Sequence, residues 1–355
     1  MNNEGLKKTA ILAGIYGVVA VGSIFYRAAT KNIIIVDAAI ELDEENIDGE
    51  KYNLHVSNDT TGTQAGTFRI PLASDVSSTS ITVDDRYTDG ELLIYINSRD
   101  ENFYKENSIL YNDVSLTKAE CLEMSDDAVC LNFGVDGLSE KTVELSERCI
   151  IVSVAETSEK YENIVVIDPL CGGTDTGYVS GDLQEKDINM KVAAYVYDYF
   201  KDSDDIKIFL TRTRDEQTSV EKREQIIERS GADFLVEIST DSFEENTDIS
   251  GFNVYYNDVY FIREFGNFEL AKSLFNNIYM TDSVTPGEIQ GQSQCDDVLK
   301  NSKIPSAVVS AGCLTNEQDR ENLSDDEYLK AVAEGVARGI EEAFEITNPE
   351  EEETE

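Results

Sequence analysis

Histidine is nearly missing from this chain, and tryptophan is missing altogether: 355 residues contain one His and no Trp. The single histidine, His55 in "KYNLHVSND", excludes any site built on two imidazoles, and any His-dependent triad in the second half. Lying on an apparent strand, it is read as structural. Basic side chains are scarce. Against 71 Asp and Glu stand 29 Lys and Arg, for a formal net charge of −42. Such a body repels nucleic acid and anionic lipid surfaces, which excludes nucleic acid as a partner. No C-x-x-C pair occurs, so no zinc ribbon is expected. Cys121, Cys130 and Cys149 fall in the first half of the body, and Cys171, Cys295 and Cys313 in the second. Odd counts without compact spacing argue against a disulfide framework.

Long apolar runs are missing too, with one exception. From Thr9 to Tyr26, 18 residues carry no charge, near the lower limit for crossing a bilayer core. Lys7 and Lys8 precede the run, Arg27 and Lys31 follow it, and no small-x-small cleavage site precedes a polar start. The expectation is a single-pass cell-membrane anchor over residues 1–31, with the body extracytoplasmic. A cleaved signal peptide is the alternative.

Residues 32–157 read as a β-rich domain. "ELLIYINS", "AVCLNFGV" and "CIIVSVAE" are short runs of β-branched and aromatic residues between Asp, Gly, Asn and Ser clusters. The polar piece "DVSSTSITVDD" reads as a linker or a short edge strand. From residue 158 to 346 strands alternate with helices. "NIVVID", "DIKIFLTR", "ADFLVEIS", "GFNVYY" and "SAVVSAG" are strands. "EKDINMKVAAYVYDYFK" places Ile188, Val192, Tyr195, Val196 and Tyr199 at helical spacing. "SVEKREQIIERSG" opens on a Ser cap and closes on Gly. "FELAKSLFNNIY" and "DDEYLKAVAEGVARGIEEAFE" complete the helices. The fold class is α/β: a largely parallel sheet flanked by helices, preceded by the β-rich domain and the N-terminal transmembrane helix. Residues 347–355 form an acidic tail expected to be disordered.

The chemistry gathers at "VVIDPLCGGTDTG", residues 165–177. A strand runs into an acid, a proline and paired glycines, the turn where α/β sheets hold ligands. This stretch resembles the Asp-Pro-Gly-His-Gly-Gly-x-Asp-x-Gly turn of the zinc-dependent N-acetylmuramoyl-L-alanine amidases that cleave bacterial peptidoglycan. "EKDINM" is similar to their Glu-Lys-Asp-x-Asn helix start. "LTRTRDEQTSVEKR" is similar to their Leu-Thr-Arg-x-x-Asp-x-x-x-Ser-Leu-x-x-Arg stretch. "ADFLVEISTDS" lies on their Ala-Asp-x-Phe-Val-Ser-Ile-His-x-Asn strand. "SAVVSAGCLTNEQD" lies on their Pro-Ala-Val-Leu-Val-Glu-x-Gly-Phe-Leu-Thr-Asn strand.

In that family two histidines and a glutamate hold zinc, and a second glutamate is the base. The resemblance puts the first histidine on Cys171, the metal glutamate on Glu185, the second histidine on Ser239 and the base on Ser310. Only Glu185 is retained. Cysteine is a zinc ligand in its own right, but serine is a poor one at neutral pH. Asp241 or Glu237, two residues from Ser239 on the strand, are candidate substitutes. Ser310 offers no general base, a loss of about 10²–10⁴-fold. Gly172, Gly173 and Gly177 suit the turn. Arg212, Asp215 and Arg223 suit ion pairs, and Asn316 suits a helix cap.

The resemblance therefore implies a membrane-anchored, catalytically degenerate amidase-like protein. It would have no cofactor and would bind peptidoglycan or an envelope protein. One alternative is an active amidase whose zinc sits in a site rearranged around Cys171, Glu185 and Asp241. Another is a structural subunit of an envelope or sporulation complex.

Overall fold

The computed structural model describes residues 31–32, 35–36, 50–98, 102–124, 128–146, 148–281, 283–292 and 296–348. The apolar run from Thr9 to Tyr26, Cys295 and the acidic tail from residue 349 lie outside the described residues. Among the described residues no helix is long and apolar enough to cross a membrane. The chain divides into two compact units at Ala155–Glu156.

The first unit is a pair of six-stranded sheets. Its strands are β1 Lys31–Asn32, β2 Ile35–Val36, β3 Lys51–Asn53, β4 Val56–Asn58, β5 Thr67–Pro71, β6 Ile81–Arg86 and β7 Glu91–Asn97. A short helix, α1 Phe103–Glu106, precedes β8 Ile109–Asn112, β9 Lys118–Met124, β10 Ala128–Gly134, β11 Glu140–Ser146 and β12 Cys149–Ala155. One sheet has the order β1-β11-β12-β5-β8-β4 and the other β2-β6-β7-β10-β9-β3. Phe68, Ile70, Ile94, Ile109, Leu131, Phe133, Ile150 and Val152 fill one apolar core.

The stretch expected as a linker or edge contains β6, whose Ile81 and Val83 point inward between β2 and β7. Two inward apolar residues at period two suffice for a strand even when its other face is polar. His55 lies on no strand. It is exposed in the connection between β3 and β4. Lys141 is fully buried, and its Nζ reaches Asp85 at 3.1 Å and the carbonyls of Gly137 and Ser139.

The second unit alternates strand and helix. Its elements are β13 Asn163–Pro169, the small hairpin β14 Val179–Ser180 with β15 Leu183–Gln184, α2 Glu185–Phe200, β16 Ile206–Leu210 and α3 Val220–Ser230. They continue through β17 Phe234–Asp241, β18 Phe252–Asn257, α4 Asn267–Tyr279, β19 Pro286–Gln292, α5 Asp297–Asn301, β20 Ser306–Cys313, α6 Glu317–Leu323 and α7 Asp326–Thr347. The sheet order is β16-β13-β17-β20-β18-β19. All pairings are parallel except β18 against β20.

Local chemistry sets the helix ends. Ser219 accepts from the Lys222 amide, and Gly231 closes α3 at φ 67°. Asn316 caps α6 by accepting from Gln318 and Asp319. Helix α7 runs one residue into the expected tail, to Thr347. It packs on α4 through small residues: a Cβ added to Gly335 would meet Ile278 Cα at 2.6 Å. On α2 the inward face is Ile188, Val192, Ala193, Val196 and Phe200. Tyr199, expected inside, is 45% exposed and donates to Glu341. Its neighbour Phe200 fills the place, one residue later on the helix.

Candidate functional site

The parallel order brings the C-terminal ends of β13, β17 and β20 together, and the turn after β13 wraps them. Leu170 is tied back by its amide to the Ile238 carbonyl at 3.0 Å. Cys171 then takes a left-handed φ of 65°, an uncommon conformation for a side chain with a Cβ. Asn189 on α2 donates to the Leu170 carbonyl at 3.0 Å. Lys186 bonds both the Gly173 carbonyl and Asp215, at 3.1 and 2.6 Å. Asp215 in turn accepts from the Gly173 amide at 2.7 Å, and these contacts hold its carboxyl below the usual range. The turn is thus fastened to a helix and a loop by its backbone.

Glu185 opens α2 and reaches the centre of this arrangement. Its Oε2 accepts from the Tyr178 amide at 3.0 Å. Its Oε1 accepts from the Ser239 hydroxyl at 3.1 Å and, more weakly, from the Thr240 amide at 3.4 Å. Gly177 makes this approach tolerable, at φ 60°. A Cβ there would lie 2.5 Å from Glu185 Oε2. Burial pushes the Cys171 thiol up to about 12, and the charges of Glu185 and Asp175 add to the shift.

The structure brings Ser239 onto Glu185 as the resemblance requires, and Cys171 within reach of the Glu185 charge. Asp241 is held elsewhere. Its Oδ2 accepts from Asn253 Nδ2 and Tyr255 OH, each at 2.8 Å. A register irregularity between Ser239 and Asp241 accompanies the difference. Burial raises the Asp241 carboxyl, against support from Tyr255, Asn253 and Ser310. Ser310 is fully buried, and its hydroxyl also lies 3.4 Å from the Gly312 carbonyl.

These residues do not fit zinc as the resemblance would place it. Both Glu185 oxygens are occupied by protein donors, one of them the side chain at the second histidine position. Burial pushes the thiol at the first upward, and the serine at the second is a poor zinc ligand at neutral pH.

Behind the turn lies a buried cluster that the sequence pattern alone did not assemble. Arg223 on α3 donates to Asp168 Oδ2 at 2.6 Å, Glu237 Oε1 at 3.1 Å and Asp296 Oδ2 at 2.9 Å. Thr211 also donates to Asp168. Burial lifts the Glu237 carboxyl well above its ordinary range, Asp296 and Asp168 lift it further, and Arg223 opposes them. Glu237 thus serves as a partner of Arg223, on the side of the cluster behind the turn. The one signal in the sequence was an acid inside the apolar run "FLVEIS", which needs a buried partner. Arg212, expected in an ion pair, is a carbonyl clamp. It is 1% exposed and donates to the carbonyls of Pro169, Arg214 and Lys186 at 2.9 to 3.2 Å.

Comparison with known proteins agrees with this second unit. An uncharacterised Bacillus subtilis protein, YqiI, is 28% identical over 194 residues, covering 54% of this chain and 89% of its own length. The sporulation-specific N-acetylmuramoyl-L-alanine amidase of the same species is 25% identical over 185 residues, 51% of this chain and 68% of the relative. Among solved structures, the amidase AmiC2 of Nostoc punctiforme is similar at 31% identity and a TM-score of 0.46. It covers 51% of this chain and 96% of that one. The family model described as N-acetylmuramoyl-L-alanine amidase matches residues 165–342, half of the chain, from the strand that carries Asp168 to the last helix, and this protein belongs to that family.

Proposed function

We propose that this protein is a catalytically degenerate member of the amidase family, working in the bacterial cell envelope. It holds peptidoglycan or an envelope protein without cutting the amide bond. The body lies outside the membrane, anchored by the run from Thr9 to Tyr26. The observation that carries this reading is the Ser239 hydroxyl donating to Glu185 at 3.1 Å. A hydrogen bond stands where the family would bind its ion, and Ser310 stands where it would hold a base. The remaining groups suit recognition. The Cys171 thiol and the backbone of the turn after Asp168 can meet the amides of a stem peptide.

The test is zinc stoichiometry and amide cleavage on protein purified without a histidine tag, with hydrogen exchange in the presence of muropeptides. The reading expects no stoichiometric zinc, no cleavage and protection in the turn after Asp168. Cleavage with bound zinc would overturn it in favour of the rearranged site. Protection by a protein partner but not by muropeptide would assign the structural-subunit role. A membrane-impermeant thiol reagent on intact cells, acting on an engineered surface cysteine, tests the topology. Labelling only after lysis would refute it.

A further inference from the structure

Arginines in a chain this acidic have partners to choose from, yet two in the first unit have none among the described carboxylates. Arg69 sits on β5, between β12 and β8. Strand alternation sends Phe68 and Ile70 into the core, both fully buried, and leaves Arg69 and Pro71 on the opposite face. Arg69 stands in register with Leu110 and Ile151, and Pro71 with Cys149. Arg69, Pro71, Leu110 and Cys149, with Ser108, Ser146 and Arg148, line a groove of about 460 Å³. Its floor is apolar and its cationic groups are Arg69 and Arg148.

The state of Arg69 points to an absent partner. Its Nη1 donates to the Gly62 carbonyl at 3.1 Å, and its Nη2 has only the Cys149 sulfur at 3.5 Å. Its Nε is buried and has no hydrogen-bond partner. Folded proteins rarely leave a buried donor unmet, and a bound ion is one way such a donor is satisfied. The Nε and Nη2 edge of a guanidinium is one that a planar oxyanion takes side-on. Nε is enclosed as it stands, so an anion reaches this edge only when the Cys149 thiol swings off Nη2, the weakest contact that Arg69 makes. Arg148 is exposed at the same groove and supplies a second cation.

We infer that this groove binds an oxyanion, a carboxylate or phosphate, carried on an apolar body of about side-chain size. The anion meets Arg69 and Arg148, and the body lies on Pro71 and Leu110. Chain charge argues for a small ligand. At physiological salt, fields are screened beyond about 8 Å, so one anion feels the two arginines locally. A polyanion would extend over the acidic remainder of the surface. The inference rests on the first unit alone and stands apart from the amidase-like site.

The experiment is calorimetric titration of the full chain with 4-phenylbutyrate, phenyl phosphate, inorganic phosphate and the neutral 4-phenylbutanol, with hydrogen exchange on the complexes. One or both aromatic anions should bind at one equivalent and protect β5, β8 and β12. Their ranking identifies the oxyanion. The alcohol and inorganic phosphate should each bind about 10-fold more weakly or worse, each having lost one half of the recognition. Arg148→Gln, an exposed change, should weaken the anion about 10-fold with an unchanged melting temperature. Arg69→Gln should abolish the protection. Equal binding of the alcohol, equal binding of inorganic phosphate, an unaffected Arg148→Gln, or no heat and no protection at about 20 mM would each overturn the proposal.

Discussion

Replacing Glu237 by glutamine should leave the second unit at least as stable as before, although it removes a buried carboxyl bonded to an arginine. Three carboxyl groups surround one guanidinium: Asp168, Glu237 and Asp296. With all three ionised the cluster would be net negative around Asp168 and Glu237, both 1% exposed, which favours retention of a proton there. Asp168 makes the short contacts to Arg223 and is its ionic partner. Glu237 is pushed up by burial and then by Asp296 and Asp168, so it is the member of the cluster assigned the proton here.

Glutamine copies that neutral form. Its carbonyl accepts from Arg223 and its amide donates to Asp296. For an acid whose folded pKa is raised, stability is fully present below the unfolded value of about 4.3 and is lost as pH rises towards the folded value. Over that window the wild type must take up a proton to fold and the variant need not. The advantage of Glu237→Gln should therefore grow by about 1.4 kcal/mol per pH unit. At about 2–4 °C per kcal/mol this is about 3–6 °C between pH 4.5 and 5.5. Scanning calorimetry of both proteins across pH measures it. Asp168→Asn should instead cost about 3–5 kcal/mol, because it strips Arg223 of its charged partner. A Glu237→Gln loss of similar size, without the pH trend, would show that Glu237 is ionised and refute the assignment.

Changing Cys171→His and Ser239→His together should create zinc binding near one equivalent and raise the melting temperature with added zinc, which a titration would follow. Hydrolysis should remain poor until Ser310→Glu is added, and that third change alone in the wild type should do less; a folded double variant that binds no zinc sinks the placement of these residues around one centre. Gly177→Ala should destabilise by about 1–3 kcal/mol, read by denaturant unfolding, because φ 60° and the 2.5 Å approach to Glu185 both oppose a Cβ. Lys141→Met should cost about 3 kcal/mol by leaving Asp85 facing a buried apolar chain, and near-neutrality there would mean that the ion pair carries little.

Periodicity exposed most of the second unit before any coordinates, since β13, β17 and β20 are apolar runs and the flanking helices repeat at 3.6 residues. Strand direction was not legible. The antiparallel pairing of β18 with β20 depends on a connection path, and a run such as "GFNVYY" reads alike in both directions. Strand β19, "PGEIQGQ", was invisible because it is an edge strand with few apolar residues. The same holds for β9 and β11, whose polar faces dilute the pattern. At the site, the resemblance fixed which residues meet. It could not say that Asp241 would be captured by Asn253 and Tyr255, or that Arg212 would bond carbonyls instead of acids. Those outcomes depend on which partners three separate segments bring to one point.

The Ser239–Glu185 contact also bears on reversibility. Glu185 ties the turn, α2 and β17 together through neutral donors of the protein itself, so the joint is closed without any second charge. The route back is obstructed for the same reason. Ser239→His alone takes the hydroxyl from Glu185 while Cys171 still occupies the other position. The intermediate has lost a hydrogen bond and has not gained a complete ligand set. Under the proposed function, two coordinated substitutions separate this chain from a metal site, and a third, at Ser310, separates it from a base. Taken first, the Ser239 step gives up that bond, which makes the present arrangement a trap as well as a joint.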